Sequence, residues 1–289
     1  MKTTEHAPAK LNLSLDVLGK TADGYHDLRM VMTSVTFGDD LEIELTENGV
    51  FRIDPGQPYL PADERNLAVR AARLFLDGTG LGADIRTVKR TPVCAGMGGG
   101  SSDAAAVLRA LNRLTGHKKS ADELRRMALS LGSDVPYCVE GGTVLAEGRG
   151  EILTPIAPLP DCAIVICKPS FSISTPDLFR RIDRRKSRLR PDTAGLMAAI
   201  GDSDLPGAAR RMYNVFEDVL DRSQSAVSSI KSELLNRGAL GAVMTGTGSA
   251  VFGVFQAEAD AQDARRALAR RYHDCWLTRP AAATPVVTG

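Results

Sequence analysis

Four glycines and two serines stand together in Pro92 to Ala106, PVCAGMGGGSSDAAA, directly ahead of an alanine-rich run. Gly96, Gly98, Gly99 and Gly100 let several backbone N–H groups turn toward one anion. A helix opening at the serines adds the positive end of its dipole, with Ser101 and Ser102 as capping residues. The chemistry that suits such a cradle is binding of a nucleoside triphosphate. No Lys-Ser or Lys-Thr pair closes the run, so it is not a Walker A loop, and its spacing is not GxGxxG. A glycine run that only permits a turn is the plain alternative.

Phosphoryl transfer to an alcohol also needs neutralised phosphates, a positioned hydroxyl and a carboxylate to take its proton. Lys10 is the candidate cation and Asp134 the candidate base, against the alternative of a solvated lysine and a turn aspartate. A second glycine element, Met244 to Ser249, contains Thr245 and Gly246 ahead of an apolar run and suits either a close backbone approach to a ligand or an ordinary hairpin loop. Tyr25 and His26 at a loop tip, and Phe179 beside a helix start, offer flat rings of the kind that sandwich a nucleobase. At that helix start Thr175 reads as the N-cap and Pro176 as its first-turn proline.

The elements that must hold these residues follow from periodicity. Residues 9–18 alternate strictly and predict a half-buried strand, with Leu11, Leu13, Leu15 and Val17 on the core face and Lys10, Asn12, Ser14 and Asp16 on the other. Strand-like segments recur at 29–37 and 40–46, and helices are expected at 66–77, capped by Asn66, and at 102–114. Ser120 to Glu123 has the form of a capping box, with Gly132 as the stop. Asp134 then falls just past a helix end, where Pro136 turns the backbone away from helix. After a strand at 143–146, the Gly- and Pro-rich segment from Gly148 to Pro160 marks a domain boundary, giving domains 1–155 and 156–289. The second half reads as strand 163–168, helices to about 237, strands 241–244 and 251–255, helix 258–271 and a strand near 274–278. That order suits an α+β sandwich with an antiparallel sheet, and the tail AAATPVVTG reads as frayed.

Composition narrows the partners. With 36 Lys and Arg against 35 Asp and Glu, no global field draws in nucleic acid or anionic membrane. The basic run Phe179 to Arg190 lacks interleaved aromatics and reads as a solvated helix or loop. No apolar run reaches the roughly 18 to 20 residues of a membrane span, and the N-terminus lacks a signal-peptide core, so a cytoplasmic protein is expected. Five scattered cysteines and four histidines without ligand spacing argue against disulfides and against a metal held by protein side chains.

Three motifs in order, Ala7 to Leu13 (APAKLNL), Pro92 to Ala106 and Thr245 to Phe252 (TGTGSAVF), resemble the GHMP kinase superfamily over nearly the whole chain. With Asp23-Gly-Tyr-His26, the triple glycine and Gly132 to Pro136, the chain is similar to the branch that phosphorylates the 2-hydroxyl of a cytidine-diphosphate-linked methylerythritol in the non-mevalonate isoprenoid pathway. The resemblance implies an α+β, two-domain GHMP kinase fold, an N-terminal ribosomal-S5-like domain and a C-terminal ferredoxin-like α/β sandwich with the active site between them. It implies ATP as co-substrate, Mg²⁺, and a monomer or weak homodimer.

By matching motifs, Asp134 would be the base and Lys10 its electrostatic partner. Pro92, Val93, Cys94, Ala95, Gly96, Met97, Gly98, Gly99, Gly100, Ser101 and Ser102 would carry the ATP phosphates, with Asn66, Lys89 and Met97 near adenosine. Tyr25, His26, Pro176 and Phe179 would hold the cytosine end, and Asn12, Thr175, Thr245 and Gly246 would complete the substrate site. Met97 stands where leucine is usual, a swap of similar volume. Cys94 and Cys138 are further departures near the site. Two other readings remain at this point: a GHMP kinase for another small alcohol such as mevalonate, and a nucleotide-binding protein without turnover.

Overall fold

The alternation that begins at the N-terminus produces a strand longer than 9–18: β1 runs Lys2–Lys20 and pairs antiparallel with β2, His26–Thr46, in a computed structural model that describes residues 1–185 and 189–284. The two segments expected at 29–37 and 40–46 are therefore one continuous strand. Nor is β1 half-buried, for every residue from 9 to 17 is buried, on both faces of the strand. A register shift between Asn12 and Ser14 explains how one alternating row serves two cores. Leu11 and Leu13 pack into the core shared with the second sheet, whereas Leu15 and Val17 belong to the other core, with Leu15 beside Leu28, Met30 and Phe216.

The first sheet also contains β3 (Phe51–Asp54), β4 (Gly82–Val88), β5 (Thr143–Gly148), β6 (Ile152–Pro155) and β8 (Tyr213–Asn214). Its main path runs β3-β4-β2-β1-β8, with β5 paired to β2 and β6 to β5. Strand β6 lies inside the segment expected to be irregular. Helices α1 (Leu67–Leu76), α2 (Gly99–Leu114), α3 (Ala121–Leu131) and α4 (Val135–Glu140) contribute to the same core. Asn66 caps α1 and Ser120 closes the capping box of α3, both as expected. Two helix starts differ from expectation. Helix α2 begins three residues early, with left-handed Gly98 at its N-cap, so Ser101 and Ser102 lie within its first turn and do not cap it. Pro136 opens α4 because a proline in the first turn sacrifices no helical hydrogen bond, and Asp134 becomes that helix's N-cap residue.

The second sheet is antiparallel in the order β11 (Asp274–Thr278), β7 (Ala163–Lys168), β10 (Val251–Phe255), β9 (Gly241–Met244). One face of it, through Ile164, Ile166, Val243, Phe252 and Val254, shares a core with Leu11, Leu13, Val31 and Val35 of the first sheet and with α6 (Thr193–Gly201) and α7 (Leu205–Arg210). Its other face is covered by α8 (Ser225–Asn236) and α9 (Glu258–Ala269). Helix α5 (Thr175–Asp183) is capped by Ser174, one residue before the expected Thr175. The basic run continues from α5 into residues 186–188, which lie outside the described residues; Arg190 donates to Asp16 Oδ1 and to the Val17 carbonyl at 2.9 Å each.

The two halves are interlaced. Strand β8 pairs parallel with β1 at Ser14 and Leu15, and Ala281 N donates to the Ser34 carbonyl (2.8 Å) while Thr284 N donates to that of Glu140 (2.6 Å). The expected fraying of the tail is thus corrected for Ala281 to Thr284, and residues 285–289 lie outside the described residues.

A buried cation fixes β1, α2 and α4 relative to one another. Arg109 of α2 donates to Glu5 Oε1 (2.8 Å) and the His6 carbonyl (2.8 Å) on β1, and to the Cys138 carbonyl (2.7 Å) on α4. Since β1 carries Lys10 and α4 opens at Asp134, this cluster sets the distance between the two. Arg109→Ala leaves a buried carboxylate and two carbonyls short of a donor and should cost about 3 kcal/mol in urea denaturation. A loss below about 1 kcal/mol would show that the cluster contributes little.

Candidate active site

Lys10 reaches the site because three backbones meet around it. Its own N–H donates to the Met97 carbonyl of the glycine loop (3.0 Å), and left-handed Gly98 leaves room for its side chain: a Cβ there would lie 3.0 Å from Lys10 Cγ. Its Nζ donates to Asn12 Oδ1 at 2.6 Å and stands 4.0 Å from Asp134 Oδ2. The lysine side chain is 6% exposed, whereas that of Asp134 is 39% exposed and open to a reacting group.

Asn12 and Thr245 are fully buried and stand behind Lys10. Asn12 N donates to Thr245 Oγ1 (3.0 Å), and that hydroxyl donates to the Gly96 carbonyl (3.1 Å). Gly96 and Gly246 are both left-handed and in backbone contact: a Cβ on Gly96 would lie 2.1 Å from the Thr245 carbonyl oxygen, and one on Gly246 would lie 2.9 Å from that of Gly96. The second glycine element is the loop of the antiparallel β9–β10 hairpin, and it also packs backbone to backbone against the first glycine loop. It is the partner of the first, held further by Asn214 Nδ2 donating to the Met244 (2.7 Å) and Gly246 (2.8 Å) carbonyls.

Two cavities adjoin along this seam and share Gly96, Gly98, Thr175 and Thr247. One, about 380 Å³, is walled by Pro92 to Ser101 together with Leu67, Lys89 and Thr91. The other, about 420 Å³, is walled by Lys10, Asp134, Tyr25, His26, Arg149, Phe179 and Phe216 among others. The His26 and Phe179 rings stack at 4.3 Å, Phe179 meets Phe216 edge to face at 5.0 Å, and His26 Nε2 pairs with Asp183 Oδ1 at 2.8 Å. Thr175 and Thr247 hydroxyls join across the rim at 2.8 Å.

The remaining expected residues divide by position. Ser102 is buried and donates to the Pro8 carbonyl (2.7 Å), tying α2 to β1. Asn66 is occupied by the Ala68 N–H and the Pro61 carbonyl and is not in either cavity wall. Pro176 is exposed in the first turn of α5 and also outside both walls. Cys94 is an exposed left-handed residue of the loop, while Cys138 is buried and its thiol is pushed up to about 12 by burial.

Sequence reasoning missed Asp39, Asp103 and Arg149. Lys89 Nζ donates to Asp39 Oδ2 (2.7 Å) and Asp103 Oδ2 (2.5 Å), and Asp39 Oδ1 also accepts the N–H groups of Arg90 (2.6 Å) and Thr91 (2.7 Å) at the entry to the glycine loop. Burial works against the charge on Lys89, yet the two carboxylates hold its pKa above the ordinary lysine value. Asp39 sits in an alternating strand and gave no signal, but Asp103 lies inside the glycine motif itself and marked a carboxylate about to be buried.

Residues 66–142 match the family model of the GHMP kinases N terminal domain, and residues 196–274 that of the GHMP kinases C terminal. The chain is 42% identical over 275 residues to 4-diphosphocytidyl-2-C-methyl-D-erythritol kinase of Clostridium botulinum (strain Kyoto / Type A2), covering 94% of this chain and 98% of the relative. It superposes on a crystal structure of 4-(cytidine 5'-diphospho)-2C-methyl-D-erythritol kinase with a TM-score of 0.84 and 31% identity, over 97% of this chain and 100% of the other. A homoserine kinase from Cytophaga hutchinsonii shares the fold, with a TM-score of 0.75 at 21% identity over 98% and 95% of the two chains.

The carboxylates around Lys89 give the fold a pH dependence. Burial, reinforced by the Asp39 carboxylate and only partly offset by Lys89, raises Asp103 from 3.8 to about 7. The folded chain then retains a proton that the unfolded chain releases, so this group makes stability fall as pH rises between 3.8 and about 7. Asp103→Asn removes the titration, and its Tm should decline less than that of the wild type from about pH 5 to about pH 8 in thermal denaturation. Parallel slopes would assign the cost of buried charge to another group.

Proposed function

The chain belongs to the 4-diphosphocytidyl-2-C-methyl-D-erythritol kinases of the GHMP kinase family, and from that premise we propose that the seam between the two cavities is where it transfers phosphate from ATP to the 2-hydroxyl of its cytidylyl substrate. The observation that carries this reading is the Lys10–Asp134 pair, 4.0 Å apart, in the wall of one cavity beside the glycine loop that walls the other.

In this reading the loop cavity takes the triphosphate. Backbone N–H groups of Gly99, Gly100 and Ser101 at the start of α2 have no acceptor within the helix, and with the helix dipole they favour anionic oxygens. The aromatic cavity takes the acceptor. Tyr25, with His26 and Phe179, offers flat surfaces for cytosine at one end, and Asp134 stands at the other. There its carboxylate accepts the proton of the 2-hydroxyl as the oxygen attacks the terminal phosphorus, whose bond to the bridging oxygen breaks and releases ADP. Lys10, oriented by Asn12, holds positive charge beside the developing alkoxide and the moving phosphoryl group.

Mg²⁺ fits this donor set as a companion of the nucleotide. Among the described residues no three His, Cys, Asp or Glu cluster to form a protein-made cage, and Mg²⁺ is commonly held by phosphate oxygens, water and one or two protein oxygens. The Ser101 hydroxyl in the loop wall is the protein oxygen that would serve, which leaves the Asp134 carboxylate for the proton. When bound, the ion neutralises phosphate charge during transfer. No described helix is long and apolar enough to cross a membrane, and we place the enzyme in the cytoplasm as a monomer or weak homodimer acting on small molecules.

Asp134→Asn should retain ATP binding, measured by calorimetry, while turnover falls by about 100-fold or more. Turnover within a few-fold of the wild type would remove Asp134 from the role of base. Phe179→Ala should raise KM for the cytidylyl substrate by an amount corresponding to about 1–3 kcal/mol with a smaller change in kcat. An unchanged KM with a lowered Tm would make Phe179 a packing residue for Phe216 alone.

A further inference from the structure

Arg149 occupies the tip of the β5–β6 hairpin between left-handed Gly148 and Gly150. The turn is fixed from its own strands: Gly150 N donates to the Glu147 carbonyl (3.1 Å) and Arg149 N to Glu151 Oε2 (2.6 Å). One side of the tip abuts the transfer site, since a Cβ on Gly150 would lie 3.8 Å from Asp134 Oδ1. The arginine side chain leaves in the other direction. Its guanidinium carbon lies 3.5 Å from the centre of the Tyr25 ring, and its Nη2 donates to Asp23 Oδ2 at 2.5 Å. Arg149 therefore hangs between the base end and the transfer end of the acceptor cavity.

We propose that Arg149 clamps the diphosphate of the acceptor substrate and, in the free enzyme, stands in for the base on the face of Tyr25. The inference rests on the reading of the aromatic cavity as the cytidylyl site. A nucleoside diphosphate places its phosphates between a flat base and the reacting hydroxyl, and the cavity wall supplies few cations to meet them. Lys10 is buried against Asn12 at the transfer end, and His26 is paired with Asp183. Among the described residues the guanidinium of Arg149 is held by an exposed carboxylate and an exposed ring, with side chains 43% and 52% exposed in the Asp23 pair, so its release costs little. A planar guanidinium stacked on Tyr25 keeps that ring presented to a flat partner. When the base takes the ring, the guanidinium is free to turn its fork of N–H donors to the phosphates.

The test uses cytidine and CDP as competitors of the cytidylyl substrate in wild type, Arg149→Gln and Arg149→Lys. Arg149→Gln should weaken CDP by about tenfold and cytidine by less than about twofold, with Arg149→Lys between the two for CDP. The loss for CDP should shrink as salt is raised. Equal weakening of cytidine and CDP would make Arg149 a structural prop of the loop, and unchanged CDP inhibition would remove the clamp. If neither compound competes with the wild-type enzyme, the base-binding reading of the cavity falls and the clamp with it.

Discussion

The buried hydroxyl of Thr245 joins three segments far apart in sequence, and the geometry of the site depends on that junction. It accepts from the backbone of β1 at Asn12 and donates to the glycine loop at Gly96 while belonging itself to the loop between β9 and β10. No water reaches it, so a lost partner would leave a buried polar group unsatisfied at a cost of about 1–3 kcal/mol. The approach of the two loops leaves no space for a Cβ at Gly96 or Gly246. Glycine at these positions is thus required by backbone packing whatever anion the loop binds, and the proposed phosphate cradle is also a structural joint.

From this junction the chemistry follows by short steps. Lys10 is two residues from Asn12 along β1, so anchoring Asn12 places the ammonium beside the loop and within reach of Asp134. Asp134 is set independently, at the start of α4, by the Arg109 cluster that ties α4 to β1. Each group thus has its own support. The lysine is sheltered and the carboxylate half-open, an arrangement suited to a fixed electrostatic partner and a group that exchanges a proton with substrate.

Local signals carried most of the elements. The capping box at Ser120, the Asn66 cap and the alternating or apolar strands of the second half all read true because each is decided within a few residues. The shifted starts of α2, α4 and α5 are local, but the larger failures share a cause, which is that a distant segment decided the outcome. The polar row of β1 is buried because the second half of the chain lies over it, and the two expected strands of β2 are one because β1, β4 and β5 pair along its length. Ala281 to Thr284 looks like a frayed tail but is pinned to Ser34 and Glu140. At the site, the glycines, Lys10, Asp134 and the aromatic rings were legible from residue type and motif order. The placement of Asn12 and Thr245 behind Lys10, and of Arg149 over Tyr25, required contacts that no spacing encodes.

In the function proposed, one cavity of this seam takes a cytidylyl alcohol and the adjoining one takes ATP, and this division of labour governs the choice of substrate. It is tested most directly by ADP release from ATP and Mg²⁺ with 4-diphosphocytidyl-2-C-methyl-D-erythritol, mevalonate or homoserine as the offered alcohol. Turnover confined to the cytidylyl compound is the expected result. Comparable turnover with mevalonate or homoserine would contradict the assignment of the aromatic cavity.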